Sequence, residues 1–196
     1  MCYDNKYDQE KRCGRMQVDV GSEEVMEHYN WLEEKLKYYS SSNKTAWLAV
    51  TFHHPPFLLG PLKSELLPML RKYGVDFMFV GHKHWSEYAN MDPEYETRFP
   101  EETPKMIKNC TNDTEILVVP ERDQTFKKGE YIHQFINGNG GHALKEICPY
   151  MEQDGNVFFK NDGYYGTTVV EATSQKVTIK FHRDVDDLVY KINVIA

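Results

Sequence analysis

The chain has 196 residues, enough for one domain with a core of its own. At 40% hydrophobic and 13% aromatic residues it is too apolar for a disordered chain, yet it holds no apolar run long enough to span a bilayer. A net charge of −7 argues against general attraction to nucleic acid or to an anionic membrane surface.

Residues 1–21 lack hydrophobic periodicity and read as an exposed loop, and the charged start MCYDNKYDQEKRCGRM is no secretory signal. From Ser22, an N-cap residue followed by Glu23 and Glu24, the pattern turns helical. Val25, Tyr29, Leu32 and Leu36 form one stripe of an amphipathic helix that ends near Tyr39. Ala46–Phe52 is an almost unbroken apolar run, which predicts a strand buried on both faces. His53-His54-Pro55-Pro56 ends it, because proline neither donates to the ladder nor continues a central strand.

Leu62–Tyr73 predicts a helix with Leu66, Leu67 and Leu70 inward, a kink at Pro68 and closure at Gly74. Val75–Val80 reads as a second buried strand, so the unit is strand, helix, strand. A right-handed crossover between parallel strands follows. Residues 91–130 are polar and rich in proline and charge, an insertion without clear periodicity. A third strand, Tyr131–Asn137, runs into Gly138-Asn-Gly-Gly-His142. After another irregular stretch, Thr167–Ala172, Lys176–His182 and Leu188–Val194 alternate as an antiparallel meander. The expectation is a single α/β domain over 22–196.

Three N-x-S/T sequons, at Asn43, Asn109 and Asn112, lie in polar, loop-like stretches and favour a secreted, lysosomal or vacuolar glycoprotein. Four cysteines, Cys2, Cys13, Cys110 and Cys148, suit disulfides in that setting. Three connectivities are open, with Cys2–Cys13 and Cys110–Cys148 the expected pair. A secretory chain without a leader further suggests that a preceding segment exists.

Ligands of open α/β sheets gather beyond the carboxyl ends of the strands. Three strands here deliver histidine or glycine at that edge: His53-His54, Gly81-His82-Lys83-His84, and Gly138 to His142. Neutral imidazole is a common transition-metal ligand, and Gly81 is expected to let the chain turn so that the rings of the H-x-H pair approach. Either pair alone is compatible with local hydrogen bonding; jointly, on neighbouring parallel strands, they favour a metal site. The Gly138–Gly141 run lacks G-K-[ST] and opens no helix, so it reads as a tight turn beside the site. His28, His133 and His182 lie away from that edge, Trp85 and Tyr88 read as packing residues, and Asp184-Asp186-Asp187 as a solvated hairpin turn.

Val50-Thr-Phe-His53 with His54-Pro55, then a helix, a strand and Gly81-His82-Lys83-His84, resembles the second half of the calcineurin-like metallophosphoesterases. The likeness is strongest to the small purple (tartrate-resistant) acid phosphatases and spans most of 22–182. The resemblance implies the C-terminal half of their α/β sandwich, a βαβ crossover followed by antiparallel strands. It implies hydrolysis of phosphate monoesters on a binuclear centre of iron with iron, zinc or manganese. By that analogy His53 and His82 hold the divalent ion and His84 the ferric-type ion, while His54 replaces a frequent tyrosine and faces the phosphate or leaving group. The family's earlier blocks, read as D-x-H, G-D-x-x-Y and G-N-H, are absent. The bridging carboxylate must then come from a partner, expected to be the N-terminal half of the same enzyme. Two rival readings remain: a mononuclear zinc protein, and an inactive phosphatase-like structural or interaction subunit.

Overall fold

Alternation of side chains along the strands sorts this chain into layers. The computed structural model describes residues 23–41, 46–55, 65–91, 123–141, 143–144, 156–161 and 164–196. The loop expected at 1–21, the four cysteines, the three sequon asparagines and His142 lie outside the described residues.

Helix α1 (Glu23–Ser40) is followed by β1 (Ala49–Phe52), helix α2 (Leu67–Lys72), β2 (Phe77–Val80), β3 (Ser86–Met91), β4 (Asp123–Lys127), β5 (Ile132–Asn137), β6 (Asn156–Asn161), β7 (Thr167–Ala172), β8 (Lys176–Asp184) and β9 (Asp187–Ile195). The first sheet runs β1-β2-β5-β3-β6 and the second β4-β9-β8-β7. Strands β1, β2 and β5 are mutually parallel, with Phe52 opposite Val80 and Val80 opposite Ile136. Their carboxyl ends therefore share one edge.

Period-two alternation splits the first sheet's apolar residues between two cores. Met78, Val80, Ile132 and Ile136 face the helix layer, where Leu36, Leu66, Leu67 and Leu70 are buried with them. Phe77, Tyr88 and Phe135 face the second sheet and meet Ile179, Phe181, Tyr190, Ile192 and Val194. The order is helices, sheet, sheet. Each fully buried aliphatic or aromatic side chain contributes roughly 1.5–3 kcal/mol, so two cores of this size hold the layers together. Where α1 meets α2, Lys72 Nζ and the Tyr73 hydroxyl both donate to Glu33 Oε1, at 2.7 and 2.8 Å.

Several sequence expectations change. Pro68 sits in the first turn of α2, directly after the π-helical Glu65 and Leu66, where its missing N–H costs α2 no hydrogen bond. Gly74 closes the helix with φ 65°, a left-handed conformation that glycine adopts without strain. The run from Ala46 is not buried on both faces: β1 is the edge of its sheet among the described residues, and Ala49 and Thr51 are exposed. Part of the 91–130 insertion is regular, since β4 adds a parallel strand to β9. Strand β3 lies mostly in a stretch to which the sequence assigned no element, and β6 in one that read as irregular.

His133 of β5 lies between the sheets, 1% exposed. Its ring is surrounded by those of Phe77, Tyr88, Phe126 and Tyr131, and its Nδ1 lies 2.9 Å from the Tyr88 hydroxyl. Burial lowers its pKa to about 3. The imidazole thus stays neutral in the folded protein while the unfolded chain takes up a proton below about pH 6.5. Folding stability should fall as pH drops from about 6.5 towards 3, by a few kcal/mol on the scale of about 1.4 kcal/mol per unit. The variant His133→Phe should lose that component, giving a flatter dependence of urea midpoint on pH than the parent across this window.

Candidate metal centre

Strands β1 and β2 end beside each other, and their backbones are joined past the last ladder pair. Gly81 N donates to His53 O at 3.0 Å, which sets the His53 loop against the start of the β2 loop. Lys83 N then donates to Gly81 O at 2.7 Å, closing a three-residue turn on His82. His82 has φ 65°, a left-handed conformation that a residue with a Cβ adopts with strain of about 1–3 kcal/mol. The turn is thus made at His82 and not, as the sequence suggests, at Gly81. A Cβ on Gly81 would meet only ordinary contacts, 3.7 Å from His53 Nδ1 and O.

Three imidazoles converge here. One ring nitrogen from each of His53, His54 and His82 lies within 4.8 Å of the other two. His82 Nδ1 and His53 Nε2 are 3.4 Å apart, and the ring centroids of His54 and His82 are 4.3 Å apart. Burial, and then repulsion by His53, hold the His54 pKa below the ordinary imidazole value, which favours the neutral ring that binds metal. His84 is oriented differently. Its Nδ1 lies 2.8 Å from the Ala143 carbonyl, so Nδ1 carries the hydrogen and Nε2 the lone pair.

The loop after β5 supports this edge from below. Gly138 N donates to Trp85 O at 3.1 Å, and a Cβ on Gly138 would overlap the Lys83 carbonyl. Asn139, buried, accepts from Gly166 N at 3.2 Å and so joins the site edge to the second sheet. This run is a turn beside the cluster, and Ala143, shortly after it, meets His84 through its carbonyl oxygen.

The other residues marked in the sequence lie elsewhere. His28 is exposed on α1 beside Trp31, His133 is in the inter-sheet core, and His182 is on β8. Trp85 and Tyr88 are buried. Asp184 and Asp187 flank the β8–β9 turn, and Arg183 pairs with Asp187. Sequence reasoning missed Glu87, a carboxylate 1% exposed on β3 that accepts from Trp85 Nε1 at 3.0 Å. Its signal was only the polar string Ser86-Glu87 directly after the histidine loop.

No protein-family profile matches the chain. An acid phosphatase from Aspergillus ficuum is 28% identical over 137 residues, covering 66% of this chain and 19% of its own length. A purple acid phosphatase from yellow lupin (Lupinus luteus) seeds superposes with a TM-score of 0.58 at 16% identity, over 91% of this chain and 29% of that one. The fold is metallophosphoesterase-like. GAP50, the anchor in the inner membrane complex of Plasmodium, superposes at 0.57 with 13% identity, over 91% of this chain and 45% of that one. The chain therefore spans less than half the length of each of these three proteins. Among the described residues no helix is long and apolar enough to cross a membrane.

The two glycines make opposite predictions. Gly138→Ala should destabilise the protein by about 1–3 kcal/mol, because the new methyl must displace backbone rather than a side-chain tip. Gly81→Ala should stay within about 1 kcal/mol of the parent, since the added methyl makes only ordinary contacts. Urea unfolding of the two variants side by side checks the contrast.

Proposed function

We propose that this chain is the histidine-bearing part of a metal-dependent acid phosphatase acting on phosphate monoesters. The observation that carries the reading is the delivery of His53, His54, His82 and His84 to the carboxyl edge of two adjacent parallel strands, in a fold shared with purple acid phosphatases. The donor set fits a transition-metal centre: neutral imidazoles are suited to iron and zinc. His53 and His82 hold one ion, and His84, fixed by the Ala143 carbonyl, directs Nε2 to the other. Bound there, a pair of ions such as iron with iron, zinc or manganese lowers the pKa of water and offsets phosphoryl charge.

Two ions at short range repel, and the histidine cluster among the described residues includes no carboxylate to bridge them. An N-terminal segment of the same enzyme supplies it. Strand β1 is where that segment pairs: its edge is open among the described residues, and Ala49 and Thr51 are exposed on the face that meets the second sheet. Val170, on the flanking β7, is 47% exposed. A strand added parallel to β1 ends beside His53, where a carboxylate is needed. The greater length of the acid phosphatase that this chain matches supports the presence of such a segment. Secretion or delivery to a lysosome or vacuole, with glycans on Asn43, Asn109 and Asn112 and disulfides among the four cysteines, belongs to the same reading.

A second reading is a phosphatase-like structural subunit without turnover. It draws on the likeness to the Plasmodium anchor protein and on a cluster made of histidine alone. Turnover of p-nitrophenyl phosphate by protein from its native source, with metals counted per chain, separates the two. The phosphatase reading expects two ions and hydrolysis that falls at least about a thousandfold in His82→Ala and in His84→Ala. His28→Ala, on the exposed face of α1, should match the parent. Full metal loading without hydrolysis favours the structural subunit.

A further inference from the structure

We infer that Glu87 is a positioning residue for His84, acting through the Trp85 indole. Glu87 stands outside the histidine group, yet it is 1% exposed on β3. Side chains two apart on a strand share a face. Trp85, Ala89 and Met91 all lie in the helix-side core, so Glu87 is set on that same apolar face. A polar group buried there is costly unless it is hydrogen-bonded. Trp85 Nε1 donates to Glu87 Oε2 at 3.0 Å. The indole N–H, in a side chain that is itself buried, gains an acceptor by the same contact.

This bond holds the segment that carries His84. The residues on either side of His84 meet at one indole: Trp85 owns the ring, and Lys83 places its ammonium 5.1 Å from the ring centroid, a cation over an aromatic face. Glu87 fixes the edge of that ring. The Trp85 backbone is tied as well, since its carbonyl accepts from Gly138 N at 3.1 Å. A Cβ on Gly138 would come within 3.2 Å of the His84 Cα, so the two backbones are already in close contact. His84 thus stands between two residues joined at a single side chain, and from there its Nδ1 reaches the Ala143 carbonyl.

Removing the acceptor leaves the indole N–H buried without this partner, a cost that the ring relieves by turning. Turning it releases the Lys83 ammonium and shifts the backbone next to His84. The contact needs an acceptor at position 87, not a negative charge. Glutamine supplies one and leucine does not.

Long-range proton–nitrogen NMR spectra of the 196-residue chain, recorded above the imidazole titration range, test the role without metal or substrate. The parent is expected to show His84 in a single Nδ1–H tautomer. In Glu87→Leu that tautomer should give way to a mixture of the two neutral forms, while His53, His54 and His82 keep their shifts. Glu87→Gln should match the parent. Trp85→Phe, which removes the donor and keeps a ring, should loosen His84 in the same way, and it decides the matter if Glu87→Leu does not fold by far-UV circular dichroism. A single Nδ1–H tautomer at His84 in folded Glu87→Leu, an equal disturbance of all four histidines, or a Glu87→Gln spectrum like that of Glu87→Leu would each overturn the role. The consequence for turnover rests on the phosphatase reading above. There kcat should fall by roughly ten- to a hundredfold in Glu87→Leu at little changed KM, and recover in Glu87→Gln. A parent without turnover sinks that reading and leaves the ordering of His84 standing, because the spectra need no hydrolysis.

Discussion

The bare Cα of Gly138 is the contact on which the site edge rests. A side chain there would occupy the space of the Lys83 carbonyl, so the loop after β2 could not lie on the loop after β5. That seating holds both ends of the Gly81–His84 segment. One end is fixed by the hydrogen bond from Gly81 to the His53 carbonyl, the other by that from Gly138 to the Trp85 carbonyl. Between these anchors the chain has few conformations left, and the left-handed His82 is the result. The cluster of imidazoles is therefore a property of backbone packing between three strands, and the histidines exploit a turn they do not themselves create.

Behind that edge the two cores differ in kind. The helix-side core is aliphatic, built from leucine, isoleucine, valine and methionine around Trp85. The inter-sheet core is aromatic and carries polar atoms at its centre. There the Tyr88 hydroxyl, the Asn90 carbonyl oxygen and His133 Nδ1 form one hydrogen-bonded group. His133 Nε2 and Asn90 Nδ2 find no partner among the described residues. Buried polar groups left unpaired are costly, so this cluster is tolerated only because the surrounding rings fix it in place.

Much of the fold was legible where local chemistry and tertiary environment agree. Ser22 with two glutamates marked the start of α1, Gly74 marked the end of α2, and alternation of Val177, Ile179 and Phe181 marked β8. The parallel crossover followed from two apolar runs around a helix. What escaped were strands whose residues break the usual correlation of polarity with exposure. Ser86, Glu87 and Asn90 are all at most 3% exposed, yet SEYANM carries no apolar alternation that marks a strand. The opposite happened at β1, where an apolar run that looked internal lies at an edge. The candidate site was legible as a place, since the ends of parallel strands are predictable from their order. Which nitrogens meet was not, because spacing in H-x-H says nothing about the sign of φ at its first residue. That sign brings His82 to His53 and His54, while His84 turns to Ala143.

Trp47 gives the second sheet a part in all of this. Its ring packs against Phe77 in the inter-sheet core and under the Lys128 ammonium, and its indole N–H donates to the Thr173 carbonyl just after β7. Directly beyond it, Leu48 N donates to the buried Asp76 carboxylate at the entrance to β2. The strand that ends in His53 and His54 is thus pinned, two residues before it begins, to the far end of the C-terminal meander. The meander serves as the fixture against which the histidine strands are aligned: a shift of one sheet over the other would travel along β1 and open the cluster at its opposite end.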